Sequence, residues 1–170
     1  MKKIIPFLCV AIFGLASFSC VSDDDNMQEY VDYDTYPVAI DLNNVNFEEI
    51  DGVWQIARTF NTPIYDTDML LAYMRVGTTT NNAPIWQQIP ITLYLSDGNE
   101  VDYNFDFSRY DFVLYTGGTF DLFGTQYVSN KTFRILIVPA DYGKTGNVDY
   151  SDYESVVNYY KIDDSHPLSM

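Results

Sequence analysis

The chain has 170 residues, with 9 lysines and arginines against 24 aspartates and glutamates, and a formal net charge of −15. That balance repels nucleic acid and anionic headgroups, and no basic stripe along the chain relieves it. Charge of this size can signal disorder, but 15 Tyr, 11 Phe and 2 Trp supply the apolar surface of a folded, β-leaning protein.

Lys2 and Lys3 open the chain as a positive segment, and Ile4 to Ala16 follow as an apolar stretch interrupted only by Pro6 and Gly14. Residues 1–19 therefore read as a secretory signal peptide of the lipoprotein kind. The apolar stretch falls short of the roughly 18 residues that cross a bilayer as a helix, and no second long one occurs downstream. Cys9 lies inside the signal, which leaves Cys20 as the one cysteine of the processed chain. A lone thiol in an exported protein asks for a role. Diacylglyceryl attachment, with cleavage before Cys20, provides one. Ser17-Phe18-Ser19 departs from the usual Leu-Ala-Gly type of lipobox at Phe18. Ordinary signal-peptidase cleavage is the alternative, and it too exports the protein.

Behind Cys20 come Val21, Ser22, Asp23, Asp24 and Asp25. The cluster Ser22-Asp23-Asp24-Asp25 resembles the lipoprotein export signal of Bacteroidota, which implies transfer to the cell exterior. Read as plain charge, the three aspartates make a solvated leader of mutually repelling groups, and the protein then faces the periplasm. The expected location is the outer membrane, with the lipid at Cys20 as the membrane contact and the domain facing outward. Residues 20–36 read as an acidic spacer between lipid and fold.

From residue 37 the pattern changes to that of a single β domain, expected over 37–165 with a tail at 166–170. Val38, Ile40 and Leu42 alternate with Ala39 and Asp41, and Trp54, Ile56 and Phe60 share one face of 53–60, with Arg58 the exception. Asp68 to Arg75 holds helix-forming residues yet lies between turn-rich stretches, which favours a buried strand over two helical turns. Ile89, Ile91, Leu93 and Leu95, the turn Ser96-Asp97-Gly98-Asn99-Glu100, and then Val101, Tyr103, Phe105 and Phe107 describe a hairpin with one wet face. Residues 110–115 make another strand, and Phe133 to Val138, apolar on both faces, a central one. Ser151-Asp152-Tyr153-Glu154 fits a capping box, with Tyr153, Val156, Val157 and Tyr160 at helical spacing behind it. A helix is expected at about 151–161. The fold class is mainly β: an antiparallel two-layer, immunoglobulin-like (Ig-like) β-sandwich of seven or so strands, with one C-terminal helix over an edge or an end.

Several of these segments resemble a group of small Bacteroidota surface lipoproteins, some of which carry a collagen-like Gly-Pro run after the lipidated cysteine. The likeness covers about residues 66–142. It rests on Asp68 to Tyr73, Ile85-Trp86-Gln87-Gln88-Ile89-Pro90, Tyr103-Asn104-Phe105-Asp106-Phe107 with Asp111, and Thr132 to Tyr142. No Gly-Pro-Pro run follows Cys20 here. The resemblance implies a surface-anchored β domain and supplies neither catalytic residues nor a ligand.

Catalytic signatures are sparse. His166, the only histidine, sits before Pro167 in the expected tail, where a general base lacks a fixed partner. No Gly-x-Ser-x-Gly elbow, His-Glu-x-x-His or phosphate loop occurs. Paired carboxylates of the glycosidase kind remain an alternative among so many acids. Asp141 to Asp152 has the outline of an EF-type calcium loop, with Gly146 at the sixth position, but Gly143 and Thr145 stand where oxygen ligands belong. A strand-to-helix turn capped by Ser151 explains the same residues without calcium. Tyr150, Tyr153, Tyr159 and Tyr160 crowd the helix, and Tyr30, Tyr33 and Tyr36 stud the leader; exposed tyrosines stack on sugars or anchor protein partners. The expectation is a non-enzymatic binding or structural module without a cofactor, its protein or glycan ligand unidentified. A carboxylate-dependent hydrolase and a weak Ca²⁺-binding module, with Asp141 and Asp152 as ligands, are the alternatives.

Overall fold

Side chains alternate faces along a strand, so a strand polar at every second residue buries one face and a continuously apolar strand buries two. Both kinds are present in the computed structural model, which describes residues 37–139 and 148–170. In chain order they are β1 (Val38–Val45), β2 (Glu48–Ile50), β3 (Val53–Thr59), β4 (Asp68–Thr78), β5 (Pro84–Gln88), β6 (Ile91–Tyr94), β7 (Glu100–Phe107), β8 (Asp111–Gly118) and β9 (Lys131–Pro139). The helix α1 (Tyr153–Tyr160) and the short β10 (Leu168–Ser169) complete the elements among the described residues. Sheet I has the order β10-β1-β9-β4-β5, and sheet II the order β2-β3-β8-β7-β6. All pairings are antiparallel except β1 with β10.

The sheets share one apolar core. Ile40, Leu42, Leu70, Ala72, Met74, Phe133, Ile135 and Ile137 from sheet I meet Ile56, Val101, Tyr103, Phe112 and Leu114 from sheet II. The intervening residues of β1, β4 and β9 point the other way and form a second core. There Ala39, Leu71, Tyr73, Leu136 and Val138 pack against Tyr153, Val156, Val157 and Tyr160 of α1. Sheet I is thus buried on both faces, and the molecule has three layers: helix, sheet, sheet. The mainly-β two-sheet expectation agrees with this; the narrower Ig-like reading rests on strand count and turn spacing alone.

The 68–75 segment is a strand, the second from one edge of sheet I, and its apolar run reflects burial on both sides. The 91–107 hairpin forms as its alternation predicts, with Ile91 opposite Tyr103 and Tyr94 opposite Glu100. Three expectations are corrected. The helix covers the outer face of sheet I rather than an edge or end, because Val156 and Val157 present an apolar stripe wide enough to seal Leu136 and Val138. It is also shorter, and its N-cap is Asp152, whose Oδ1 accepts the Glu154 N–H at 3.2 Å. Ser151 lies one residue before the cap, its hydroxyl and N–H turned to Asp149 Oδ1 at 2.6 and 3.0 Å. Lastly, residues 166–170 are no tail: Leu168 and Ser169 lie parallel to Ile40 and Asp41, and Met170 packs against the main core. Among the described residues no helix is long and apolar enough to cross a membrane.

Candidate functional site

Cys20, Ser22, Asp23, Asp24, Asp25 and Asp141, like Tyr30, Tyr33 and Tyr36, lie outside the described residues. Asp152 engages the first turn of α1 as its cap. Among the described residues no group of three or more His, Cys, Asp or Glu side chains is gathered where a metal ion could sit. His166 is exposed and makes only local contacts, its Nδ1 lying 2.8 Å from Ser165 Oγ and 3.6 Å from Asp163. Tyr153 and Tyr160 belong to the core, as their helical spacing predicts.

One polar cluster was not anticipated. Arg134 interrupts the apolar run of β9, and the register sets it between Asp41 of β1 and Tyr73 of β4 on the face beneath α1. Its Nε and Nη2 donate to the two Asp41 carboxylate oxygens at 2.6 and 2.8 Å. Its Nη1 donates to the Tyr153 hydroxyl at 2.6 Å and to Asp164 Oδ2 at 3.2 Å, and the Tyr153 hydroxyl donates to that same Asp164 oxygen at 2.6 Å. The guanidinium lies 4.8 Å from the Trp86 ring centroid, close enough for cation–π attraction. Burial works against the charged form of Arg134, but the hydrogen bonds it donates to Asp41 and Tyr153 outweigh it and hold the group above its usual value. The ion pair is buried, and its polar atoms are turned to one another. The cluster ties β1, β9, α1 and the segment after α1 together. Its sequence signal is one charged residue inside each of two apolar runs, Asp41 within residues 38–42 and Arg134 within residues 133–138.

The outer face of sheet II presents an exposed polar and aromatic surface. Burial of Val101, Tyr103, Phe112, Leu114 and Ile56 inward turns their neighbours outward. Paired residues in adjacent strands share a face, so the register lays Glu48, Gln55, Tyr115 and Asn104 in one row across β2, β3, β8 and β7. The Tyr115 hydroxyl donates to Asp106 Oδ2 at 2.9 Å. That bond keeps the phenol protonated above its usual value and fixes the ring. Beyond the ring, Asp102 lies over Gly117, where a Cβ would come within 3.1 Å of Asp102 Oδ1. On the other side a depression of about 170 Å³, bordered by Glu48, Gln55, Ala57 and Arg58, adjoins the row through Gln55. Tyr94, 79 % exposed, stands on the last strand of the same sheet. An anchored aromatic ring flanked by carboxamides and carboxylates can hold a sugar: the ring meets its C–H face, and the amides and acids take its hydroxyls.

Comparison with known proteins finds no matching family model, no matching curated protein and no matching solved structure.

Proposed function

We propose that this protein is an exported outer-membrane lipoprotein, anchored through Cys20 and displayed outward by Ser22, Asp23, Asp24 and Asp25, whose β domain is a non-enzymatic module binding neutral glycan. The signal-like residues 1–19, the lone Cys20 and the likeness to small Bacteroidota lipoproteins support the anchoring. If it is right, Cys20→Ser moves the protein from the membrane to the soluble fraction, and protease added to intact cells removes the wild type. Survival of the wild type under protease shaving would place it on the periplasmic side.

The row Glu48-Gln55-Tyr115-Asn104 carries the binding half of the reading. Its surroundings are anionic, with Asp102, Asp106, Glu100 and Asp111 facing solvent on the same sheet. Such a face turns away acidic polymers and suits uncharged ones. A neutral-glycan array probed with the full-length protein is expected to give a hit that Tyr115→Ala weakens about tenfold, the worth of one aromatic contact. Turnover of the bound polysaccharide, or unchanged binding by Tyr115→Ala, would overturn it.

A further inference from the structure

Sheet I opens at one end. The ladder of β4 with β9 runs from Asp68 opposite Pro139 to Met74 opposite Phe133 and stops there. β4 then continues to Thr78 on its pairing with β5 alone, through a register shift between Arg75 and Gly77. On the far side of β9, β1 shifts register between Leu42 and Val45 and rejoins at Lys131. Bulges of this kind twist a strand and re-aim its side chains. Here two of them flank one strand end and border a cavity of about 400 Å³, within the roughly 300–1,000 Å³ of small-molecule sites.

The lining reverses the character of the chain. Arg75 and Lys131 bring two positive charges, Thr78 and Thr132 two hydroxyls, Asn44 and Asn130 two carboxamides, and no aspartate or glutamate takes part. Arg109 is paired with Asp66, and Arg134 with Asp41 and Asp164. Among the described residues Arg75 and Lys131 pair with no carboxylate, Lys131 Nζ lying instead 5.9 Å from the Tyr127 ring centroid, so a chain of net charge −15 keeps two cations without a counter-charge in one hollow. Burial pushes the Lys131 ammonium below its usual value, and an anion beside it would offset that loss of solvation. The walls are set in advance. Asn44 and Asn130 hold φ of 55° and 53°, left-handed values that asparagine tolerates and that concentrate at binding sites. The Asn44 N–H donates to Thr132 Oγ1 at 3.5 Å, and the Asn130 N–H to Asn46 Oδ1 at 2.8 Å.

Two cations with a guanidinium fork suit an oxyanion such as a carboxylate or a sulfate ester. The hydroxyls and carboxamides suit a polyol, and no ring lines the cavity for a nucleobase to stack on. We propose that this pocket binds an anionic sugar, held by Arg75 and Lys131 at its acidic group and by Thr78, Thr132, Asn44 and Asn130 at its hydroxyls. The site is separate from the Tyr115 face and takes a ligand of opposite preference.

Calorimetric titration of the full-length protein with glucuronate, a sulfated galactose, glucose and inorganic sulfate tests it, and the two acidic sugars tell a carboxylate from a sulfate ester. At least one acidic sugar should bind, with affinity falling as salt rises, while glucose gives no signal and free sulfate binds more weakly. Arg75→Gln and Lys131→Gln should each weaken binding about tenfold, as for the loss of one charge-assisted contact. Arg75→Lys, which keeps the charge but not the fork, should fall between, a grading that a folding defect would not produce. Tyr115→Ala should bind the acidic sugar normally even if it has lost neutral glycan, which separates the failure of one site from that of the other. Equal binding of glucose, sulfate as tight as either sugar, no binding of either acidic sugar, or an unchanged Arg75→Gln/Lys131→Gln variant would overturn the assignment.

Discussion

Replacing Arg134 with alanine is expected to destabilise the domain by about 3–5 kcal/mol, seen as a fall of roughly 2 M in the urea midpoint. The size follows from what the change leaves behind. Asp41 is 9 % exposed and has both carboxylate oxygens on the guanidinium. Without Arg134 it is a buried, uncompensated charge, and the Tyr153 hydroxyl loses a donor. Truncation also empties the space beneath the Trp86 ring. The paired variant Asp41→Leu/Arg134→Met removes both charges and keeps apolar volume, so it should recover most of the loss. Arg134→Lys should recover little, because an ammonium cannot reach Asp41, Tyr153 and Asp164 as a planar fork does. A single-site loss below about 1 kcal/mol, the level of a surface pair, would show that the cluster does not hold the layers together.

A steep loss of stability is expected above about pH 10. Tyr73, Tyr103 and Tyr153 are 0 %, 1 % and 5 % exposed. Their hydroxyls donate to the Tyr150 carbonyl, the Tyr127 carbonyl and Asp164, each bond 2.6–2.8 Å long. Burial pushes all three phenols above their usual value; Asp152 and Asp149 add to it at Tyr73, and Asp164 at Tyr153. The unfolded chain releases these protons near pH 10, while the folded chain keeps them. Stability is therefore intact below about pH 10 and falls as the pH rises past it, by about 1.4 kcal/mol per unit for each tyrosine and about 4 for the three. Urea midpoints followed through this range, alongside tyrosinate absorbance, measure the slope. Tyr103→Phe and Tyr73→Phe should each flatten it by about a third, and a midpoint indifferent to pH beyond 10 would contradict the account.

These two groups of residues also mark where sequence reasoning reaches and where it stops. Tyr153 and Tyr160 were legible as core because helical spacing is a local property. The β6–β7 hairpin was legible because its turn and both of its alternations lie within one stretch of chain. The Asp41–Arg134 pair was not, since 93 residues separate its members and nothing local reports which strands become neighbours. Asp152 rather than Ser151 is the cap, because the helix begins at Tyr153, a boundary set by backbone geometry that a motif fixes only to within a residue or two. The row through Tyr115 and the hollow at Arg75 depend on register across four strands and on two bulges, so neither has a motif in one dimension.

Composition and alternation sufficed for a folded, acidic, mainly-β domain with a helix near its C-terminus, because burial and turn chemistry act over a few residues at a time. Three-dimensional pairing settled the rest. It sandwiched sheet I between α1 and sheet II, turned Leu168 and Ser169 into an edge of that sheet, and buried Arg134 against Asp41. It also gathered Arg75 and Lys131, two of the few cations in the chain, around a single cavity. Contacts between distant segments follow from which faces remain apolar once each strand has formed, and that is a property of the assembled layers rather than of any one stretch.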